Sequence, residues 1–329
     1  MAVFPSASSR TLAVQVRSFG ANRTGTLRIQ APAGWTVQPA HRDFSLALDG
    51  EEAALSFNVA PPSSAASGVL KAVATVEGQQ IATNVLTIDY PHIPARTAFL
   101  PSEARLVRAD VQVLARRVGY VMGAGDEVPE ALRQMGCAVT LLEEADLTRG
   151  DLSGFGAIVT GVRAFNTRAD LRASHARLME YVRAGGTMVV QYNVLEGGFM
   201  GGDPTQLDRI GPLPLKIGRE RVSVEDAPVE LLQPDHDLLR RPNRITGNDW
   251  EGWVQERGLY FPAQWDPGYT ALVSMSDPQE KPVRGGILYA RHGKGVYVFT
   301  SLSWFRQLPA GVPGAWRIFA NLISAGKAQ

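Results

Sequence analysis

The stretch 185–193, with the sequence GGTMVVQYN, constrains the fold of this chain more than any other. A glycine pair that typically ends a helix precedes four apolar or β-branched residues, and this pattern predicts a short buried strand. Three polar side chains, Gln191, Tyr192 and Asn193, follow that strand directly. Because ligands bind at the carboxyl ends of strands in open α/β sheets, we expect these residues to form a pocket floor that binds hydroxyl groups.

Strands and helices alternate along the second part of the chain. Strand-like apolar runs occur at 117–122, 138–142 and 157–161, and helical patterns occur at 130–135 and 175–183. Alternation at this spacing predicts a parallel sheet flanked by helices, of the flavodoxin-like α/β class.

The first part of the chain follows a different pattern, in which short segments of period two are separated by turn residues. The strand-like segments are 11–17, 26–30, 53–59, 69–76 and 81–88. Their spacing predicts an antiparallel β-sandwich of immunoglobulin-like (Ig-like) type. Trp35 is expected in its core, and a sugar-stacking surface is the alternative for that side chain.

Two domains suit a chain of 329 residues. We predict an Ig-like β-sandwich module at 1–90, a linker at 91–103 and an α/β domain at 104–329. The linker contains three prolines, which favour an extended connection.

Composition and charge exclude several functions. Lys and Arg number 33 against 32 Asp and Glu. Without a basic run, the sequence lacks the pattern of a protein that binds nucleic acid or a membrane surface. No apolar run reaches the length of a membrane span, and residues 1–6 lack a signal-peptide pattern. Cys137 is the one cysteine and is expected to be a buried structural thiol, so we predict no metal site and no cofactor.

The loop 123–126, with the sequence GAGD, contains half of a dinucleotide-binding fingerprint. The third glycine is absent and Pro129 interrupts the pattern. A tight turn that directs Asp126 and Glu127 into the cleft is therefore the stronger interpretation.

Two arginines follow predicted strands and are candidate ligand-binding residues. Arg163 comes directly after the strand at 157–161, where a guanidinium normally requires a carboxylate or an anionic ligand. Arg306 comes after the last strand. Asn166 either binds the ligand or caps the following helix.

The densest run of aromatic and charged residues lies at 249–261 and includes Trp253 and Glu256. Aromatic rings stack on the apolar faces of sugars while carboxylates bind the hydroxyl groups. This run therefore favours sugar recognition, and an irregular segment with its aromatic side chains in the core is the alternative.

Five motifs together resemble one protein family, and they lie at 119–132, 161–168, 189–193, 252–261 and 305–315. They resemble the C-terminal region of large PIG-L-type (LmbE-like) N-acetylglucosaminyl deacetylases, in which an Ig-like module precedes a class I glutamine-amidotransferase-like domain. The resemblance implies an exported or periplasmic bacterial protein. It also implies a deacetylase domain as a partner in a longer parent protein.

Two activities of such proteins do not carry over to this sequence. The His-Pro-Asp-Asp signature of the zinc deacetylase is absent. Tyr192 and Asn193 stand where an active amidotransferase has its cysteine, so glutamine hydrolysis is not expected either. The layout is similar to the trehalose-utilisation (ThuA-like) branch, which is tied to sugar metabolism and also lacks that cysteine.

These patterns favour a carbohydrate-associated protein that binds a glycan or sugar in its cleft. The first alternative is a glycoside hydrolase, for example of β-galactosidase type, which requires two carboxylates across the cleft. Glu256, with Asp126 or Glu127, is the candidate pair. The second alternative is a structural inter-domain module in which the polar residues bind one another.

Overall fold

The computed structural model describes residues 1–195 and 210–327. The chain divides into two compact units, Met1–Asp110 and Val111–Gln329. The described residues are rich in β-structure, with sheets of mixed direction and few helices.

The first unit consists of β-strands within the part of the chain that the structure describes. The strands are β1 (Ala2–Phe4), β2 (Arg10–Arg17), β3 (Arg23–Gln30), β4 (Thr36–Gln38), β5 (His41–Leu46), β6 (Glu52–Ala60), β7 (Ala66–Val76), β8 (Gln79–Ile81), β9 (Thr83–Ile88), β10 (Arg96–Pro101) and β11 (Glu103–Arg108). One sheet has the order β1-β11-β7-β3-β5 with β8 on β7, and another has the order β2-β6-β4. Both sheets contribute to one core, for example Leu27 from β3 and Phe57 from β6. Trp35 belongs to this core, where it packs edge-on against Phe4.

The end of the first unit differs from the predicted boundaries. Within the expected linker 91–103, β10 pairs with β9 in an antiparallel ladder. The next strand, β11, pairs with β7 and with β1. Pro101 is the last residue of β10, where a missing N–H does not interrupt the ladder. The first unit therefore extends to Asp110, and β1 is a strand that the sequence pattern did not reveal.

The second unit combines strands with short helices. Its strands are β12 (Arg117–Val121), β13 (Ala138–Leu141), β14 (Ala157–Thr160), β15 (Thr187–Val190), β16 (Leu215–Ile217), β17 (Arg221–Val222), β18 (Val229–Leu231), β19 (Gly258–Leu259), β20 (Pro262–Trp265), β21 (Thr270–Ala271), β22 (Val273–Met275), β23 (Val283–Arg284), β24 (Ile287–His292) and β25 (Gly295–Thr300). Its helices are α1 (Val128–Gln134), α2 (Glu144–Arg149), α3 (Ala164–Thr167), α4 (Ala169–Ala173), α5 (His175–Arg183), α6 (Asp237–Arg240), α7 (Trp304–Gln307) and α8 (Pro313–Ser324), with a 3₁₀ turn at Gly247–Trp250.

A seven-stranded sheet organises the second unit in the order β13-β12-β14-β15-β25-β24-β21. The first five strands are parallel, and β24 and β21 continue the sheet in antiparallel pairing. The predicted strand in 185–193 is β15, whose four residues are all buried. Because β14, β15 and β25 are parallel neighbours, the residues that follow them meet at one edge of the sheet, which we call the carboxyl edge.

Apolar helix faces cover the sheet. Leu178 and Val182 of α5 share a core cluster with Met188 and Val190 of β15. Helix α8 also packs against β14 and β15. Cys137 is buried, its thiol donates to the Ala115 carbonyl, and burial raises its pKa to about 11, as expected for a structural thiol.

Candidate functional site

Three aromatic rings meet at the carboxyl edge. Tyr192, two residues after β15, lies parallel to Tyr260, with 6.1 Å between ring centroids and 5° between ring planes. Phe305, in α7 after β25, contacts Tyr192 at 5.6 Å between centroids. The backbone N–H of Arg163, after β14, donates to the Tyr192 carbonyl over 2.9 Å. Segments that follow three neighbouring strands therefore converge on Tyr192.

Three charged side chains influence the pKa of the Tyr192 hydroxyl. Burial raises its pKa above the usual value, and the negative charge of Glu256 adds to the rise. The positive charges of Arg163 and Arg306 counteract it. The hydroxyl thus remains protonated near neutral pH and can donate a hydrogen bond.

Glu256 and Arg306 form an ion pair beside Tyr192. Arg306 Nε donates to Glu256 Oε1 over 2.6 Å, and the Glu256 side chain is 13% exposed. Arg306 also donates to the Gln255 side-chain oxygen. The charge of the carboxylate is therefore neutralised within the site.

Residues that follow β25 form hydrogen bonds with the segment 254–260, which carries Glu256 and Tyr260. The Gln307 side chain, fully buried, accepts from Val254 N and donates to the carbonyls of Val254 and Glu256. Ser303 Oγ donates to the Glu256 carbonyl over 2.7 Å. These bonds fix the position of a loop that would otherwise be free to move.

Three residues of this cluster have left-handed backbone conformations. Arg163, Gln255 and Tyr260 have φ angles of 58°, 68° and 54°. The described part of the second unit contains one further non-glycine residue of this kind, Gln279. Such conformations are unfavourable for residues with a Cβ atom and concentrate at functional sites, where surrounding structure maintains them.

A cavity of about 310 Å³ adjoins the aromatic cluster at Tyr260. Its lining among the described residues consists of Leu195, Arg219, Arg221, Leu259 and Tyr260. Arg221 and Leu259 are opposite each other in the β17–β19 ladder. The cavity therefore lies along the segment that carries Tyr260, and we call it, together with the residues around Tyr192, the cleft.

Asp126 does not act as a free carboxylate. Its Oδ1 accepts from the Tyr120 hydroxyl over 2.6 Å and from Val128 N over 3.1 Å, and its Oδ2 accepts from Val162 N. These bonds tie the loop after β12 to the loop after β14, which is a structural role. Glu127 is exposed at the start of α1, where no side-chain capping bond forms. The hydrogen bonds of Asp126 therefore do not support it as the second carboxylate of the predicted pair.

The loop 123–126 is a close approach between backbones. A Cβ atom on Gly123 would lie 2.1 Å from the Val162 carbonyl oxygen, so only glycine fits. Ala124 N donates to the same carbonyl. Gly123 is therefore required by the close approach of the two loops.

Gln191 and Asn193 do not form a pocket floor, which corrects the prediction made for them. Both are fully buried. Gln191 Nε2 donates to the Tyr120 hydroxyl, while Asn193 accepts from Phe165 N and donates to the Gln191 carbonyl. Side chains alternate along an extended segment, so the two flanking residues point away from the aromatic cluster, whereas the Tyr192 ring, which is 8% exposed, packs on Tyr260 and Phe305.

Asn166 does not cap a helix, and its side chain binds the backbone of Val194. Its amide donates to the Val194 carbonyl and accepts from Val194 N, both over 2.9 Å. It lies inside α3, whose first position is preceded by Arg163. Asn166 therefore positions the backbone that leaves the carboxyl edge.

Trp253 is a core residue rather than a stacking surface, because it is only 3% exposed. It stacks on Trp250 at 5.3 Å, and its Nε1 donates to the Asp249 carbonyl. The guanidinium of Arg257, also buried, lies over its ring. The core interpretation thus holds for this tryptophan, and the aromatic surfaces of the site come from Tyr260 and Phe305.

Four residues of the cleft are not among the candidates predicted from the sequence: Tyr260, Phe305, Arg219 and Arg221. Tyr260 and Phe305 lie within the family-like motifs but carry no local signal that separates them from core aromatics. The two arginines are separated by one residue, with Arg221 at the start of β17, and in an extended segment this spacing places both on one face.

The described residues lack two further features. In residues 1–195 and 210–327, no group of three or more His, Cys, Asp or Glu side chains could hold a metal ion. In the same ranges, no helix has the length and apolar character needed to cross a membrane. The Gly-rich segment 196–204, which sequence patterns suggest as a flap, lies outside the described residues.

Neither models of known protein families nor curated protein sequences match the chain. Solved structures with partial similarity include a cold-adapted β-galactosidase from Rahnella sp. R3, at 16% identity and a TM-score of 0.38 over 64% of this chain. This chain spans 31% of that enzyme. A cytoplasmic protein from Salmonella typhimurium LT2 matches at 11% identity and a TM-score of 0.44, over 64% of this chain and 98% of that protein.

A third similar structure is a putative ThuA-like protein from Bacteroides uniformis, at 12% identity and a TM-score of 0.39. The match covers 62% of this chain and 88% of that protein. All three TM-scores lie below 0.5, so the functional assignment rests on the geometry of the cleft.

Proposed function

We propose that the second unit binds a carbohydrate in the cleft at the carboxyl edge of its seven-stranded sheet. The observation that carries the proposal is the aromatic cluster of Tyr192, Tyr260 and Phe305, in which Tyr260 borders a cavity that two arginines also line. Sugars present apolar C–H faces and polar hydroxyl edges, and a site that combines rings with charged groups suits both.

The polar groups near Tyr192 are suited to bind hydroxyl groups. The Tyr192 hydroxyl is protonated, Arg306 offers guanidinium donors and Glu256 offers carboxylate acceptors. Since the ion pair supplies donors and acceptors next to each other, it can bind vicinal hydroxyls of a sugar ring. The left-handed backbone at three positions around these groups supports a functional rather than an architectural role.

Hydrolysis of a glycosidic bond is the less favoured activity. It requires two carboxylates, one as an acid and one as a nucleophile or base. Glu256 is engaged by Arg306, and both oxygens of Asp126 accept bonds from the protein. A panel of nitrophenyl glycosides tests this alternative, with Glu256→Gln as control. Turnover that Glu256→Gln abolishes would establish a hydrolase.

A purely structural role for the cleft is disfavoured by Arg163. Its Nε is buried and has no hydrogen-bond partner in the described part of the chain. A structural network satisfies its buried donors, because an unsatisfied one costs about 1–3 kcal/mol. An unpartnered donor at the carboxyl edge is instead available to a ligand.

The same proposal includes the finer architecture and context of the chain. We propose that the first unit is an Ig-like sandwich and the second a flavodoxin-like domain of the cysteine-lacking, ThuA-like type. Two sheets that share one core support the former, and the parallel order β13-β12-β14-β15-β25 supports the latter. Association with a PIG-L-type deacetylase domain in a longer, exported protein is part of this proposal, with neither nucleic acid nor membrane as partner.

Glycan-array binding followed by calorimetric titration tests the function. Tyr260→Ala removes the ring that borders both Tyr192 and the cavity, and should weaken binding about tenfold or more. Tyr289→Ala is the matched control, since Tyr289 lies in β24 and contacts His236 instead. Binding that Tyr260→Ala leaves unchanged would overturn the proposal for this cleft.

A further inference from the structure

Among the described residues, the cleft has more arginines than carboxylates that form ion pairs with them. Arg219 and Arg221 line the cavity, and the positive charge of Arg163 counteracts the rise in the pKa of the Tyr192 hydroxyl. No ion pair involves any of these three guanidinium groups in the described ranges 1–195 and 210–327. The fourth arginine, Arg306, is neutralised by Glu256.

Nearby carboxylates are occupied by other partners. Glu220 folds back so that its Oε2 accepts from Arg219 N over 3.0 Å. Glu225 accepts from Gln255 N over 2.7 Å. Both therefore bind backbone N–H groups, and no described carboxylate forms an ion pair with the guanidinium groups of Arg219 and Arg221.

The backbone places both arginines beside the sugar-stacking ring. Segment 218–222 runs antiparallel to segment 257–261, with Gly218 N bonded to the Phe261 carbonyl and Phe261 N bonded to the Glu220 carbonyl. Arg221 lies opposite Leu259 in the same ladder. Arg219 and Arg221 are two residues apart, so their side chains leave the same face, toward the cavity that Tyr260 borders.

We propose that the carbohydrate bound in this cleft is acidic, and that Arg219 and Arg221 bind its anionic substituent while Tyr260 stacks on the sugar ring. This inference rests on the proposed function and specifies its ligand class. The substituent is a carboxylate of a uronic acid or a sulfate ester, because both present paired oxygens to the planar fork of an arginine.

Arg163 extends the same recognition to the Tyr192 end of the cleft. Its unpartnered, buried Nε needs an acceptor, and an anionic oxygen satisfies it better than a hydroxyl does. Two separated cationic positions suit an oligosaccharide with acidic groups on more than one residue. A single uronic acid unit should therefore bind less tightly than an acidic oligosaccharide.

The test is binding of wild-type protein to an array of neutral, uronate-containing and sulfated glycans. The strongest acidic glycan is then titrated alongside its neutral counterpart, the methyl ester for a uronate and the desulfated form for a sulfate. We expect binding to the acidic form to weaken about tenfold in each of Arg219→Gln and Arg221→Gln. Raising the salt concentration should weaken binding by the wild-type protein more than binding by the double variant that carries both Arg219→Gln and Arg221→Gln.

Arg291→Gln is the matched control. Arg291 is an exposed arginine of β24 that pairs with Val296 near the start of β25, at the opposite edge of the same sheet. The Arg291→Gln variant loses the same charge as the two test variants and should keep wild-type affinity. Because Arg219 and Arg221 are exposed, their variants should keep the wild-type circular dichroism spectrum.

The outcomes separate this inference from the proposed function. Equal binding of acidic and neutral forms, unaffected by Arg219→Gln and Arg221→Gln, overturns the acidic-ligand inference and leaves carbohydrate binding intact. Arginine-dependent binding of inorganic sulfate, without binding of glucuronate or of any glycan on the array, overturns carbohydrate binding and keeps the anion site. Failure of every glycan and of both simple anions overturns both. Preference for uronate over sulfate, or the reverse, identifies the substituent.

Discussion

Glu256 Oε1 and Arg306 Nε are 2.6 Å apart, although 50 residues separate them in the sequence. Their ion pair lies beside the hydroxyl of Tyr192 and joins the loop 254–260 to α7. It therefore connects the stability of the loop with the chemistry of the cleft.

Removing one partner of this pair should cost about 1–2 kcal/mol in the free energy of unfolding, because the carboxylate is mostly buried and the guanidinium is partly exposed. Glu256→Gln and Arg306→Gln should each show this loss. The double variant should recover part of it, with a coupling energy of about 1 kcal/mol. Urea denaturation of the four proteins measures the cycle, and additive losses would contradict a direct interaction.

Gln255 has φ of 68° and Gln279 has φ of 67°, so the two residues form a matched pair inside and outside the cleft. Glycine at either position should stabilise the protein by about 0.5–1 kcal/mol, because it adopts this conformation without strain. Only Gln255→Gly should alter glycan affinity, since Gln255 also contacts Arg306. Thermal unfolding measures the stability of both variants, and titration with the glycan measures their affinity. A change in affinity for Gln255→Gly alone would show that the backbone strain at Gln255 contributes to binding.

The sequence alone predicts the scaffold of the site better than its surface. The bounds of β15 follow from four consecutive apolar or β-branched residues, and the parallel strands follow from their alternation with helices. Which of Gln191, Tyr192 and Asn193 faces the cleft depends on the orientation of the strand, which only packing decides. Period two allows either Tyr192 or both of its neighbours to point outward.

The loop that carries Tyr260 shows why the rest of the site is not readable. Its conformation depends on distant bonds from Gln307 and Ser303 and on the ladder with segment 218–222. A tyrosine at positive φ has no local sequence signature, because tertiary contacts impose it. Trp253, by contrast, is of a residue type that suits sugar binding, and it is nevertheless buried in the core.

Asp126→Asn distinguishes a structural carboxylate from a catalytic one. Asp126 accepts three hydrogen bonds, and an amide nitrogen in place of one oxygen would face a donor. We expect a loss of about 1–3 kcal/mol in the free energy of unfolding with unchanged glycan affinity. Asp151→Asn is the control, since Asp151 accepts from Ser153 at the surface, and its loss should be much smaller. If the Asp126→Asn protein were as stable as the wild type but had altered turnover of nitrophenyl glycosides, Asp126 would again be a catalytic candidate.

His236 makes the stability of the second unit depend on pH. Its Nδ1 accepts from Leu238 N at the start of α6, and its ring packs edge-on against Tyr289 at 4.5 Å. Burial lowers the pKa of His236 below its usual value, and the charge of Asp237 only partly opposes this. The folded state therefore favours neutral imidazole, so this contribution to stability is present above the ordinary histidine pKa, near 6.5, and is lost as the pH falls below it.

His236→Asn should remove this dependence while it keeps the cap, because asparagine also accepts from the backbone at a helix start. Between about pH 7.5 and pH 5 the wild-type protein should lose more unfolding free energy than the variant, up to about the 1 kcal/mol that a lost cap costs. Guanidinium denaturation at several pH values measures the difference. Parallel pH profiles for the two proteins would show that protonation of His236 does not break the cap of α6.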